Sequence, residues 1–445
     1  MHKNIFNFFV LLLSIIFINN LILFPGGIIR DDGYFYTKIA INFATFAFPT
    51  FDGINITDGY HAAWMLILTF LSKLFLMLTD NHFLILKLLF IFWVLIVLLF
   101  IHYFARNIIE KLIYLSIFIL CSALMETTLL AILIVLFYTK DLSLNKKYLF
   151  ILYPIFRVDS LLIFLPYFLS LIYKKRKNEL IQNGLFVTIG LIFHFTYFKL
   201  ISGHFFTISS LIKSDKALSV FHHLSRNIYH GGTSFFPFNP LLLIFLFLLI
   251  LFIYMIYLKK IKNDESIMIG LGVIFFTVFH LFFNLLRPWY FAPALLVLTH
   301  LFLNNFSFHY KQNRVLFSLI YFMPTLFIFY NCYNQSINQD LVKDFIKKID
   351  ENIYGNEMIY MVDGSGFFGQ MFTNHNIING DGLVNSHQYY NDYFKEKNIE
   401  KYLNDKKINY VITNIDNKYY PIGYTVTDSL LLSSKYLRIR LFQKE

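Results

Sequence analysis

Runs of about 20 predominantly apolar residues, divided by short clusters of lysine and arginine, constrain this chain more than any other feature. A helix of that length matches the hydrocarbon thickness of a bilayer, so such a run belongs in lipid. Residues 5–24, 83–104 and 241–258 are clear cases. Hydrophobic residues make up 57% of the chain and charged residues 15%, against roughly 45–50% and about 25% in soluble domains. That surplus exceeds what one globular core buries. The chain therefore reads as an α-helical polytopic membrane protein. Its formal charge of +11 would suit a nucleic-acid binder if it were gathered on one face. It is instead split into clusters between the apolar runs, the positive-inside pattern, and nucleic acid is excluded as a partner.

The clusters at Lys140/Lys146/Lys147, 174–177, Lys259/Lys260/Lys262 and Lys311/Arg314 mark cytoplasmic loops, with a weaker one at Arg106/Lys111. Each consecutive pair must enclose an even number of crossings. Residues 108–122 and 127–138 then form one pair, turning outside at Met125-Glu126. A second pair, broken near Pro154, lies between Lys147 and Lys174 with Arg157 and Asp159 at its outer turn. Residues 181–201 and 241–258 form a third, joined by a large outer loop over 202–240. Residues 267–285 and 290–304 form a fourth, turning at Arg287-Pro288-Trp289, and 315–330 leads outward. The first run follows Met1-His2-Lys3, ends in Pro25-Gly26-Gly27 and lacks a small-residue cleavage site, so it reads as a retained span with a cytoplasmic N-terminus. The expectation is about 11 spans over residues 1–330. Because the first run exits at Pro25 and 83–104 re-enters at Arg106, the segment 25–82 begins and ends outside. Its apolar run 62–78 is then a helix lying in the outer interface. From residue 331 to 445 the composition turns polar. Residues 339–352 have helical periodicity, while 358–362, 410–413 and 436–441 read as strands. This predicts a small α/β domain on the outer side. The two cysteines, Cys121 and Cys332, lie far apart in apolar runs and form neither a disulfide framework nor a metal site.

The ionisable residues of the outer turns are Arg30, Asp31, Asp32, Asp58, His61, Glu126, Arg157, Asp159 and Arg287. Ionisable groups at the membrane are costly, and their recurrence at successive turns on one side points to a shared site. A carboxylate beside a second carboxylate can act as a general base. Converging acids, here Asp32 and Glu126, can hold a divalent cation such as Mg or Mn. Arginine opposite them matches phosphate oxygens. The chemistry is attack by an acceptor hydroxyl on a group linked to a lipid phosphate. Tyr34-Phe35-Tyr36 suits a sugar face or an interfacial aromatic belt.

Arg30-Asp31-Asp32-Gly33-Tyr34-Phe35-Tyr36, then Asn42, Phe51-Asp52-Gly53 and Thr57-Asp58-Gly59-Tyr60-His61-Ala62-Ala63-Trp64, resembles the first outer loop of the GT-C superfamily of polytopic glycosyltransferases. Met125-Glu126-Thr127, Arg157-Val158-Asp159, Arg287-Pro288-Trp289-Tyr290 and Asp381-Gly382-Leu383-Val384-Asn385 resemble stretches of a bacterial branch of it. The resemblance implies a multi-pass enzyme of the bacterial inner membrane. It would take a sugar from a polyprenyl-phosphate donor and pass it, with inversion, to a glycan, lipid or protein acceptor on the outer face. It implies Asp31 as the catalytic base with Asp32 beside it, Glu126 as a helper for metal or acceptor, and Arg287 on the donor phosphate. Arg30, Tyr34, Asp58, His61, Arg157, Asp159 and Tyr290 complete the expected substrate-binding set. Relatives pair two acids where this chain has Glu126 alone, which weakens the expectation of a metal. A lipid transporter or flippase would share the spans but would spread its charges through the membrane depth. An inactive scaffold using only its C-terminal domain is the third reading.

Three features carry less weight. Gly364-Ser365-Gly366-Phe367-Phe368-Gly369 fits the spacing of a dinucleotide fingerprint, with Asp381 downstream, but an outer domain meets little NAD, and a tight strand–helix turn explains the glycines. His222, His223 and His230 lack partner ligands and read as a solvated loop. Asn55-Ile56-Thr57 matters only in a eukaryotic secretory route.

Overall fold

The computed structural model describes residues 29–121, 123–139, 146–216, 227–228, 239–261, 263–283, 287–305, 339–353, 356–372, 374–414, 421–431 and 438–444. The apolar runs 5–24 and 315–330, His222, His223, His230 and Cys332 lie outside them.

The first described helix, α1 (Asp31–Phe46), opens with two acids in its first turn, where the exposed N–H groups favour negative charge. It closes at Ala47, whose left-handed backbone (φ 65°) lets its N–H return to the Phe43 carbonyl. The sequence reading took this stretch as loop. The turn that follows is held from α1, because the Asn42 amide donates to the carbonyls of Thr50 and Phe51 at 3.0 Å each. Asp52 completes it by accepting from the amides of Ile54 and Asn55. Helix α2 (Ala62–Leu76) has 15 residues. At 1.5 Å per residue it spans about 22 Å, short of the ~30 Å of a bilayer core. It packs along α1, and its Trp64 indole N–H donates to the Leu124 carbonyl at 2.8 Å.

Four helices are long and apolar enough to cross a membrane: α3 (His82–Phe104), α8 (Lys177–Ser202), α10 (Pro240–Tyr257) and α11 (Asp264–Phe283). Between them run α4 (Ile108–Leu120), α5 (Glu126–Tyr138), α6 (Leu149–Phe156), α7 (Leu161–Tyr173) and α9 (Ile208–Lys216), with α12 (Ala292–Asn305) after α11. Their starts obey local capping chemistry. Asn81 and Asn107 accept the Leu84 and Glu110 amides, and Asn239 precedes Pro240 at the first helical position of α10. Helix α7 lies on α11, α6 on α8, and α12 on α5 and α10. Every residue of α12 from Ala292 to Leu303 is buried, so this helix is the centre of the bundle. Helices stand at the positions of the expected pairs, each end within a few residues, but among the described residues only α3, α8, α10 and α11 have the length of a crossing.

The C-terminal part carries α13 (Gln339–Asn352), α14 (Ser365–Met371), α15 (Ile399–Asp405) and a five-stranded sheet. The strands β1 (Met358–Met361), β2 (Asn376–Asn379), β3 (Tyr410–Asn414), β4 (Tyr424–Leu431) and β5 (Arg438–Lys444) lie in the order β2-β1-β3-β5-β4. Strand β1 is parallel to β2 and β3, and β5 is antiparallel to β3 and β4. The expected α/β domain is therefore present. Strands β2 and β4 were not expected. This domain sits on the bundle: α14 packs along α1, and Gly59 lies so close to the Leu383 carbonyl that a Cβ there would approach it to 1.8 Å.

Candidate active site

A cleft opens where α1, the turn before α2, the start of α5, helix α9 and the C-terminal domain meet. It encloses about 480 Å³ of empty space, part of it open to solvent. Asp32, Tyr36, His61, Glu126, Arg157, Ser209, Lys213, Trp289, Tyr290, Leu383 and Val384 are among its lining residues.

Arg157 organises one wall. Its Nη1 donates to Glu126 Oε1 at 2.5 Å, and its Nε and Nη2 form a fork on Asp159 at 2.9 and 2.6 Å. The guanidinium also lies 5.0 Å from the centre of the Tyr290 ring. His280 adds a contact to Asp159 at 3.1 Å and stacks on Tyr290 at 4.2 Å between centroids. His61 Nε2 is 3.5 Å from Glu126 Oε1, and burial pushes the His61 imidazole down to about 3, so it is neutral near pH 7. Sequence reasoning placed His61, Glu126, Arg157 with Asp159, and Tyr290 at or beside four separate turns and did not single out His280; the fold brings them to one wall. With two carboxylates on it, Arg157 has little capacity left for a substrate phosphate.

Asp32 and Lys213 also line the cleft. Burial raises Asp32 above the usual carboxylate range, Glu126 adds to this, and the cations Arg287 and Lys213 pull it back. Lys213 Nζ also lies 3.4 Å from the Tyr290 hydroxyl. Such a carboxylate can accept a proton, and the lysine beside it can meet an anion. Lys213 and Ser209 share a face of α9 at i,i+4 spacing. Both were missed because 202–240 was read as loop. The available signal was the amphipathic run Ile208-Ser209-Ser210-Leu211-Ile212-Lys213.

Asp31 does not line the cleft. It turns the other way, and its Oδ1 accepts the Phe367 amide at 3.1 Å. Burial first, then the charge of Asp32, holds Asp31 well above the usual range, with Asp381 and Asp363 adding to it. Asp381 is itself pushed up to about 6, chiefly by burial. Asp31 thus has acids for neighbours while Asp32 has two cations.

Four other expectations change with the structure. Asp58 is fully buried and committed, accepting from the Ser202 hydroxyl at 2.6 Å and the Ile208 amide at 2.7 Å, with His387 Nε2 at 2.8 Å. It is a joint between distant segments, not a substrate ligand. Replacing it by alanine strands these partners and is expected to cost about 1–3 kcal/mol or more. Thermal melting of the detergent-solubilised protein would show this, and Asp58→Asn should melt in between because it keeps one acceptor oxygen. Tyr34 is also buried, edge-on to Phe367 at 5.5 Å, so it packs rather than offering a sugar platform; Phe35 and Tyr36 reach the cleft instead. Arg30 contributes its carbonyl, which accepts the Gly33 amide at 2.9 Å, and it does not line the cleft. Arg287 is likewise off the lining, acting on Asp32 by charge.

A divalent cation does not fit the acids proposed for it. Among the described residues no three His, Cys, Asp or Glu side chains group as metal ligands, and Glu126 Oε1 is already held by Arg157. The fingerprint-like glycines are explained by contact. A Cβ at Gly366 would lie 2.3 Å from the Asp31 carbonyl oxygen, and one at Gly369 would lie 2.4 Å from the Phe51 ring. Helix α14, which contains Gly366 and Gly369, has only 7 residues. No protein-family model matches the chain, and no curated protein is significantly similar to it.

Proposed function

We propose that the cleft transfers a sugar from a polyprenyl-phosphate donor to an acceptor hydroxyl at the outer face of the bacterial inner membrane. The observation that carries this reading is Asp32, a half-buried carboxylate that lines the cleft together with Lys213, whose charge acts on it. The proposal includes the GT-C likeness of the first loop, about 11 spans and an outer C-terminal domain. The base moves by one residue from the sequence expectation, from Asp31 to Asp32, because Asp32 is the acid that lines the cleft.

Asp32 takes the proton of the acceptor hydroxyl as its oxygen forms a bond to the anomeric carbon. The bond from that carbon to the lipid phosphate breaks on the opposite face, and the electron pair leaves with the phosphate. The configuration inverts. Lys213, with Arg287 behind Asp32, stabilises the charge that grows on the leaving phosphate. The Arg157 network holds Tyr290 and Glu126 in place. Lys213→Ala is expected to raise the donor KM about ten- to hundredfold, the worth of one hydrogen bond to a charged group. It also removes a cation that lowers the Asp32 pKa, so the acid limb of activity should move to higher pH.

Mass spectrometry of envelope glycans from cells with and without the gene tests the reading directly. A sugar missing from one defined glycan, lipid or protein supports it and names the acceptor. An unchanged envelope combined with loss of lipid movement across the membrane would replace it with a flippase.

A further inference from the structure

We infer that the C-terminal domain orients the acidic pair, with the Gly366-Phe367 backbone acting as a positioning element for Asp32. This rests on the reading of the cleft above. Neighbouring residues on a helix project about 100° apart. If Asp31 is fixed on one side of the first turn of α1, Asp32 must point to another. Three contacts from one short segment fix that turn. The Phe367 amide donates to Asp31 Oδ1 at 3.1 Å across 336 residues of sequence. Gly366 lies against the same residue so closely that a Cβ would stand 2.3 Å from its carbonyl oxygen and 2.7 Å from Oδ1. The Phe367 ring meets Tyr34 edge-on, three residues along α1 from Asp31, at an interplanar angle of 81°.

The domain therefore reaches Asp32 through its neighbour. Its own segment Leu383-Val384 supplies a further part of the cleft wall. A methyl group at position 366 would press on the backbone and side chain of Asp31 together. The first turn of α1 would have to rotate, carrying Asp32 away from Lys213. Gly364 provides the comparison. It lies in the same turn at φ +71°, and nothing stands within 4 Å of where its Cβ would be. Alanine there strains the turn without touching Asp31.

The experiment uses full-length protein in liposomes: wild type, Gly364→Ala and Gly366→Ala. Carbodiimide labelling of carboxyl groups, read residue by residue by mass spectrometry, needs no turnover. Gly366→Ala should change labelling at Asp31 and Asp32 severalfold and lower kcat on the order of 10- to 100-fold, with the donor KM nearly unchanged, as a misplaced reacting group does. Gly364→Ala, which strains the turn without a Cβ contact to Asp31, should change both less than Gly366→Ala. Equal labelling of Asp31 and Asp32 in all three proteins overturns the inference. If Gly366→Ala fails to insert, hydrogen exchange of residues 364–369 decides instead: Asp31→Ala should speed it, and unchanged exchange overturns the inference. Should wild type transfer no sugar, the glycosyltransferase reading falls while the labelling still decides whether this backbone places the acids.

Discussion

Asp32→Asn is expected to lower sugar transfer about 10²- to 10⁴-fold, the usual worth of a general base. Asparagine keeps the size and loses the proton affinity. The variant should still insert, melt near wild type and bind donor, so the loss should fall on kcat. Asp31→Asn should be milder, because Asp31 faces the Phe367 amide and asparagine retains an oxygen to accept it. The order of the two effects is the informative result. A larger loss for Asp31 than for Asp32 would return the base to the first acid of the pair. The pH profile gives an independent check. A base works deprotonated, so activity should rise with pH through a value above the ordinary carboxylate range, since burial raises Asp32.

Arg157→Ala should have the largest effect on stability. Its side chain is 4% exposed, and its removal leaves Glu126, with its side chain 1% exposed, and Asp159 without their guanidinium. Breaking one partner out of a buried ion pair costs about 3–5 kcal/mol. A large fall in the melting midpoint in detergent is the expected result, accompanied by loss of activity. Arg157→Lys should recover little, because an ammonium cannot reproduce the fork on Asp159 together with the bond to Glu126. Glu126→Gln should be tolerated better, since the amide oxygen can still accept from Nη1. Melting of Arg157→Ala close to wild type would show that the network contributes nothing net to folding.

The helices were legible because lipid imposes a simple rule. Long apolar runs and basic clusters placed α3, α8, α10 and α11 within a few residues of their ends. The even-crossing argument set the run 62–78 apart from the spans on parity alone, and the helix found there, α2, has 15 residues. Helix α1 was missed because its apolar residues bury on nearly every side, leaving no single stripe to read. Only Asp31 and Asp32 in its first turn gave a signal. In the site, the charges of Glu126, Arg157, Asp159 and Tyr290 converge as their recurrence at successive turns implied. What sequence could not supply was direction. Asp31 and Asp32 are adjacent letters with opposite surroundings. Asp58 looks like a ligand until its three partners are seen, and they come from residues 202, 208 and 387. Lys213 was hidden in the expected loop 202–240, where only the amphipathic run 208–213 marks a helix.

The Asp58 joint also sets a clock on biogenesis. His387 is made 329 residues after Asp58. At a synthesis rate of about 5–20 residues per second, that is an interval of roughly 16–66 s. Throughout it the carboxylate lacks one of its final partners, and the segment bearing Asp32 lacks the wall formed by Leu383 and Val384. A nascent chain can thus thread its helices early and still be chemically silent. The residue that closes the joint is made long after the residue it meets.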